Sequence, residues 1–186
     1  LCLPGVALAD AWTFGDPITV AGTEETRHYH HLDGAGRQHV AASDTEIALV
    51  WEDDSSGDPQ VYFAVKPHRA ESFSRTYQLS DGEEAYEPSI AVVDEGRWLV
   101  AWEQDGTVMA RVVDAQGPGP IAPLAAEGSR QVTLASDHKG RIAAAWAREQ
   151  NNGQCIEAAE LRLENRGVAL AKPAVPVAPV GDYPFQ

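Results

Sequence analysis

The sequence predicts an all-β fold: a β-propeller of four-stranded antiparallel blades, with about three blades present as part of a ring. Three observations predict it. First, a strand–turn–strand segment recurs three times, as His39-Val-Ala-Ala-Ser-Asp-Thr-Glu-Ile-Ala-Leu-Val-Trp51, Ser89-Ile-Ala-Val-Val-Asp-Glu-Gly-Arg-Trp-Leu-Val-Ala-Trp102 and Gln131-Val-Thr-Leu-Ala-Ser-Asp-His-Lys-Gly-Arg-Ile-Ala-Ala-Ala-Trp146. Second, the closing tryptophans are 102−51 = 51 and 146−102 = 44 residues apart, the period of a four-stranded blade. Third, each copy is followed by two more strand-like segments before the next begins.

Each repeat reads in the same order. An apolar strand leads to a turn at Asp44, Asp94 or Asp137, where Asp and Gly tolerate tight backbone geometry. The second strand is almost wholly apolar, as expected of a strand covered on both faces, and ends in Trp. The third strands are Val61-Tyr-Phe-Ala-Val65, Thr107-Val-Met-Ala-Arg-Val-Val113 and Ile156-Glu-Ala-Ala-Glu-Leu-Arg-Leu163. The last has helical composition, but the repeat register makes it a strand. The fourth are Thr76-Tyr-Gln-Leu79, Ile121-Ala-Pro-Leu124 and Val168-Ala-Leu-Ala171, where Pro suits an edge. The blades therefore span about 38–81, 86–126 and 129–175, preceded by a closing strand over 12–20. Closed propellers have four to eight blades, so the ring is completed by a longer chain or by a second one.

Composition bounds the rest. With 186 residues, 44% hydrophobic, the chain can bury one real core, and no apolar run is long enough for a membrane helix. Asp+Glu is 28 against 14 Lys+Arg, a net charge of −14, which disfavours nucleic-acid binding. Residues 1–9 read as the end of a signal peptide with Ala7-Leu8-Ala9 at its cleavage point, the alternative being a short buried strand. The leader reading implies export to the periplasm or the exterior.

These repeats resemble the BNR-repeat, sialidase-like propellers, over residues 12 to about 180. The resemblance implies a propeller fold. The hallmark Asp-box of that family, Ser-x-Asp-x-Gly-x-x-Trp between strands three and four, is degenerate here, with Asp114 and Gly117 its nearest remnant. The resemblance further implies an arginine triad gripping a substrate carboxylate, a Tyr/Glu nucleophile pair and an Asp acid. Arg27 and Arg130 stand at blade starts, and Glu87 occupies the matching place in the second blade. No Tyr/Glu pair can be assigned.

The stretch Arg27-His28-Tyr29-His30-His31-Leu32-Asp33-Gly34-Ala35-Gly36-Arg37-Gln38-His39 carries four of the six histidines. A hairpin turn at Asp33-Gly-Ala-Gly36 would pair His30 with His39 and put His28 on the same face. Three converging imidazoles are ligands for a transition metal such as zinc or copper. The other reading is a polar loop whose histidines bond backbone or water. Glu52-Asp53-Asp54 reads as a solvated acidic turn without calcium-loop spacing. Trp51, Trp102 and Trp146 read as packing residues rather than sugar platforms. Three function classes remain open: a module binding a carbohydrate or protein ligand, with self-association of an incomplete ring; a sialidase-type hydrolase completed by further blades; and a purely structural or interaction repeat.

Overall fold

The computed structural model describes residues 15–20, 30–31, 37–55, 57–73, 76–150 and 153–177. The described residues contain fifteen strands and no helix, arranged as three antiparallel sheets in chain order, none closed into a barrel.

The first sheet holds β1 (His30–His31), β2 (Val40–Ala42), β3 (Glu46–Asp53), β4 (Gln60–Pro67) and β5 (Tyr77–Gln78). The second holds β6 (Ala85–Asp94), β7 (Arg97–Gln104), β8 (Thr107–Asp114), β9 (Gly117–Pro118) and β10 (Ala122–Pro123). The third holds β11 (Ser129–Ser136), β12 (Ile142–Gln150), β13 (Gly153–Glu164), β14 (Gly167–Leu170) and β15 (Val175–Pro176).

The three predicted hairpins are β2–β3, β6–β7 and β11–β12. The segment of helical composition is the longest strand, β13, whose register with β12 runs unbroken from Ile142↔Leu161 to Gln150↔Gly153. Nine ladder pairs and an apolar face override its local preference. The fourth position is more broken than the pattern implied. β9 and β10 share one edge of β8, and β14 and β15 share one edge of β13. The intervening prolines cannot donate to a ladder. Of the expected closing strand, the described part, residues 15–20, carries no strand and is exposed except at the half-buried Val20; Pro17 lacks the N–H a ladder would use.

The sheets pack face on face in series. Each has a face bearing the Trp that ends its second strand, and a reverse face. The reverse face of the first sheet (Ala48, Val50, Phe63) packs on the Trp face of the second (Ile90, Val100, Trp102). The reverse face of the second (Leu99, Ala101, Ala110) packs on the Trp face of the third (Leu134, Ala144, Trp146). Trp51, Trp102 and Trp146 are 5%, 0% and 1% exposed, at equivalent positions. Burying a Leu- or Val-sized side chain contributes about 1.5–3 kcal/mol, so these two apolar layers hold the stack together.

Candidate functional site

The first strands lie side by side along one edge of the stack, β2 against β6 and β6 against β11. Each is broken at the same place. In the second sheet Tyr86 pairs with Glu103, and pairing resumes at Ser89↔Ala101. In the third, Arg130 pairs with Ala147, and pairing resumes at Thr133↔Ala145. The bulges turn Glu87 (φ 53°) and Gln131 (φ 59°) into the left-handed region.

That backbone aims each N–H at the preceding sheet. The Glu52 carboxylate accepts from the Glu87 N–H, and the Glu103 carboxylate accepts from the Gln131 N–H. Glu52 and Glu103 both follow a repeat Trp, so one device joins both pairs of sheets. The third repeat has Ala147 there instead.

Arg37, whose side chain is 8% exposed, ties the first sheet to this edge. Its guanidinium pairs with Glu87 and lies 3.6 Å from Glu103. Burial pushes the Glu103 carboxyl up to about 7, reinforced by its hydrogen bond with Glu87 and opposed by the Gln131 N–H and Arg37. The Glu103 carboxyl therefore keeps its proton up to near neutrality.

Glu103 also lines a cleft of about 400 Å³ between the second and third sheets. Its walls carry Glu83, Glu84, Glu103, Asp105 and Glu149, with one cation, Arg130, and one aromatic ring, Tyr86. Arg130 is paired with Glu149. The Tyr86 hydroxyl donates to Glu84, and that bond leads the causes that push it up to about 12. Five carboxylates against one paired guanidinium make a cleft for a cationic or hydroxyl-rich group, and a poor one for an anion.

The sequence-named residues distribute as follows. Glu87 and Arg130 both lie at the bulged edge, one register step apart: Arg130 corresponds to Tyr86, and Glu87 to Gln131. Glu87 holds Arg37, while Arg130 stands at the cleft, so the two form no common anion grip. Arg27 and His28 lie outside the described residues.

The backbone does not adopt the hairpin that would set His30 against His39. His30 pairs with Asp53 and His31 with Glu52, while the His39 carbonyl accepts from the Val50 N–H at 2.9 Å. β1 and β2 therefore run end to end along one edge of β3. Their nearest partners on β3, Glu52 and Leu49, lie three positions apart, about 10 Å along a strand. The side-chain positions of His28 and His30 lie outside the described residues. Among the described residues no group of three or more His, Cys, Asp or Glu could hold a metal ion.

The acidic turn after Trp51 is less solvated than expected, since Glu52 and Asp53 are 8% and 6% exposed at the end of β3. Sequence reasoning places Glu52 only in a solvated acidic turn and gives Arg37 and Glu103 no role. The recurrence of Trp-Glu at 51–52 and 102–103 was the available signal. Among the described residues no helix is long and apolar enough to cross a membrane. No protein-family model and no curated protein matches this chain.

Proposed function

We propose that this chain is an exported, sialidase-like β-propeller whose three sheets are blades and which binds an amine-bearing ligand in the cleft between the second and third blades. The order of strands supports the propeller: in every sheet the chain begins at the shared edge and moves outward strand by strand. The leader reading of residues 1–9 supports export.

The observation that carries the ligand class is the lining of the cleft. Five carboxylates surround Tyr86, and the lone cation is already neutralised by Glu149. A protonated amine gains charge-assisted hydrogen bonds there, and a sugar ring stacks on a tyrosine. An amino sugar and a lysine side chain of a protein partner share that chemistry. The sialidase-type hydrolase needs free guanidinium groups for a substrate carboxylate. Arg37 and Arg130 are both engaged with carboxylates, so we place binding ahead of hydrolysis. Zinc or copper at His28, His30 and His39 stays a separate proposal, tested by comparing metal uptake with that of a His30→Ala/His39→Ala variant.

Calorimetric titration with glucosamine, N-acetylglucosamine and a lysine-rich peptide tests the amine. Heat with the first or third and none with N-acetylglucosamine is expected, weakened about tenfold by Glu149→Gln together with Glu84→Gln through lost charge-assisted bonds. Equal response to glucosamine and its acetylated form would rule out the amine.

A further inference from the structure

We propose that the reverse face of the third sheet docks the Trp face of the first sheet in a second copy of this chain, so that two copies close head to tail into one ring of six sheets. This inference rests on the propeller reading, because it needs stacked sheets to curve into a ring.

The argument is continuity with an interface already present twice. The reverse faces of the first two sheets are covered: Ala48, Val50 and Phe63 in one, and Leu99, Ala101 and Ala110 in the other, are all at most 1% exposed. The same register positions of the third sheet are Ala143, Ala145 and Ala158, followed along β13 by Ile156. None of these four is buried, and Ile156 is 40% exposed. A face the fold uses for sheet packing thus stands uncovered, and nothing larger than Ile156 projects from those positions.

The complementary surface is at the other end of the stack. On the Trp face of the first sheet, Val40 takes the position of Ile90 and Leu134, and Leu49 that of Val100 and Ala144. Ile90 is fully buried, whereas Val40 is 49% exposed. The indole N–H groups of Trp102 and Trp146 donate to Gln104 and Glu157 at 2.9 and 3.1 Å, whereas that of Trp51 is buried without a partner. A buried orphan donor is uncommon, but it lies beneath the surface, so Val40 and Leu49, and not Trp51, are the side chains this face offers to a neighbour.

Charge fits the same pairing. Arg166, in the turn after β13, reaches back to Asp114 at the end of β8, 2.8 Å away. Arg69, exposed in the turn after β4, holds the corresponding place in the first sheet. In a second copy it would meet the acidic end of β13, where Glu160 and Glu164 are exposed. Two copies of the three described sheets number six, inside the four to eight of closed propellers. With Ala147 in place of the bridging glutamate, the new junction lacks the carboxylate clamp of the other two, so it opens on dilution while they hold.

Sedimentation velocity of the 186-residue chain across the micromolar range is the test. The expected result is a reversible monomer–dimer equilibrium with no larger species. Ala145→Glu and Val40→Glu each change an unburied side chain, and each variant alone should sediment as a folded monomer. Mixed in equal amounts, they should form a one-to-one heterodimer through the single intact junction, because each supplies the face the other lacks. A wild-type chain that stays monomeric throughout overturns the second copy as occupant and leaves the propeller reading standing, with the face belonging to another sheet or to solvent. Open-ended growth with concentration overturns ring closure and the propeller reading together. Dimerisation retained by either variant alone shows like faces meeting, and overturns the head-to-tail geometry.

Discussion

Glu103 makes the molecule lose stability between mild acid and neutrality. Its folded value of about 7 lies above the ordinary 4.5, so between those values the folded chain holds a proton that the unfolded chain has released. Stability from this group is complete below about 4.5 and falls as pH rises through 7. At the acid side Asp137 acts oppositely. Its bond from Arg141 holds it down to about 2, so its contribution is lost as pH falls toward that value. The free energy of unfolding should therefore drop by roughly 1–2 kcal/mol between pH 5 and pH 8, solvent screening reducing the full shift. Glu103→Gln, which keeps an acceptor for the Gln131 N–H, should flatten that slope; an unchanged slope would clear Glu103 of the effect. The buried tryptophans and the Asp turns were legible because each is a local pattern repeated three times. Arg37 carries no local signature of its role, since its carboxylates lie about fifty and sixty-six positions away in sequence. No window along the chain holds such a cluster.

At the level of the element, two glycines separate conformational strain from crowding. β7 and β8 are joined by Asp105 (φ 51°) and Gly106 (φ 68°), the paired left-handed residues of a tight hairpin turn. A Cβ on Gly106 would meet nothing within 4 Å, so Gly106→Ala should cost about 1–2 kcal/mol through backbone strain alone. Gly119 has ordinary φ, but a Cβ there would sit 2.4 Å from the Arg166 carbonyl and 3.2 Å from that of Val112. Gly119→Ala should cost about 1–3 kcal/mol by pushing the third sheet from the second. Guanidinium unfolding of both variants measures this, and equal thiol or proteolytic accessibility of the third sheet in the two would count against the distinction. Asp-Gly between two apolar strands announces its turn in sequence. The segment Asp33-Gly-Ala-Gly36 announces one just as loudly, yet the strands flanking it pair with β3 and not with each other. Turn chemistry says where a chain can reverse; the edge on offer decides which strand it joins.

Among the described residues the two apolar clusters join the first sheet to the second and the second to the third. Stability is then a sum of sheet and junction terms, and position in the stack matters. Trp102→Ala and Trp146→Ala remove equivalent side chains, each at about 3–5 kcal/mol. Hydrogen exchange should separate them: loss at Trp102 should expose amides in all three sheets, and loss at Trp146 chiefly those of β11 to β14. Uniform loss in both variants would mean that the stack unfolds as one unit. The sheet order was readable because the repeat period carries it. Which residues stand uncovered on the outward side of the third sheet needs the register, because strand pairing and not composition sets the side each one takes.

The break in each first strand has a consequence for how this molecule can change. The same gap between ladder partners is filled by two residues in the second and third sheets, 87–88 and 131–132, and by seven in the first, 32–38. The hydrogen-bonded strands on either side keep the same partners whichever length is used. This one position therefore accepts new chain without disturbing the layers beneath it, and it does so at the edge where the acidic cleft opens. It is the natural grafting point for a recognition loop, by mutation over generations or by design, and a short Gly/Ser insert between Glu87 and Pro88 should leave the far-ultraviolet spectrum of the parent intact.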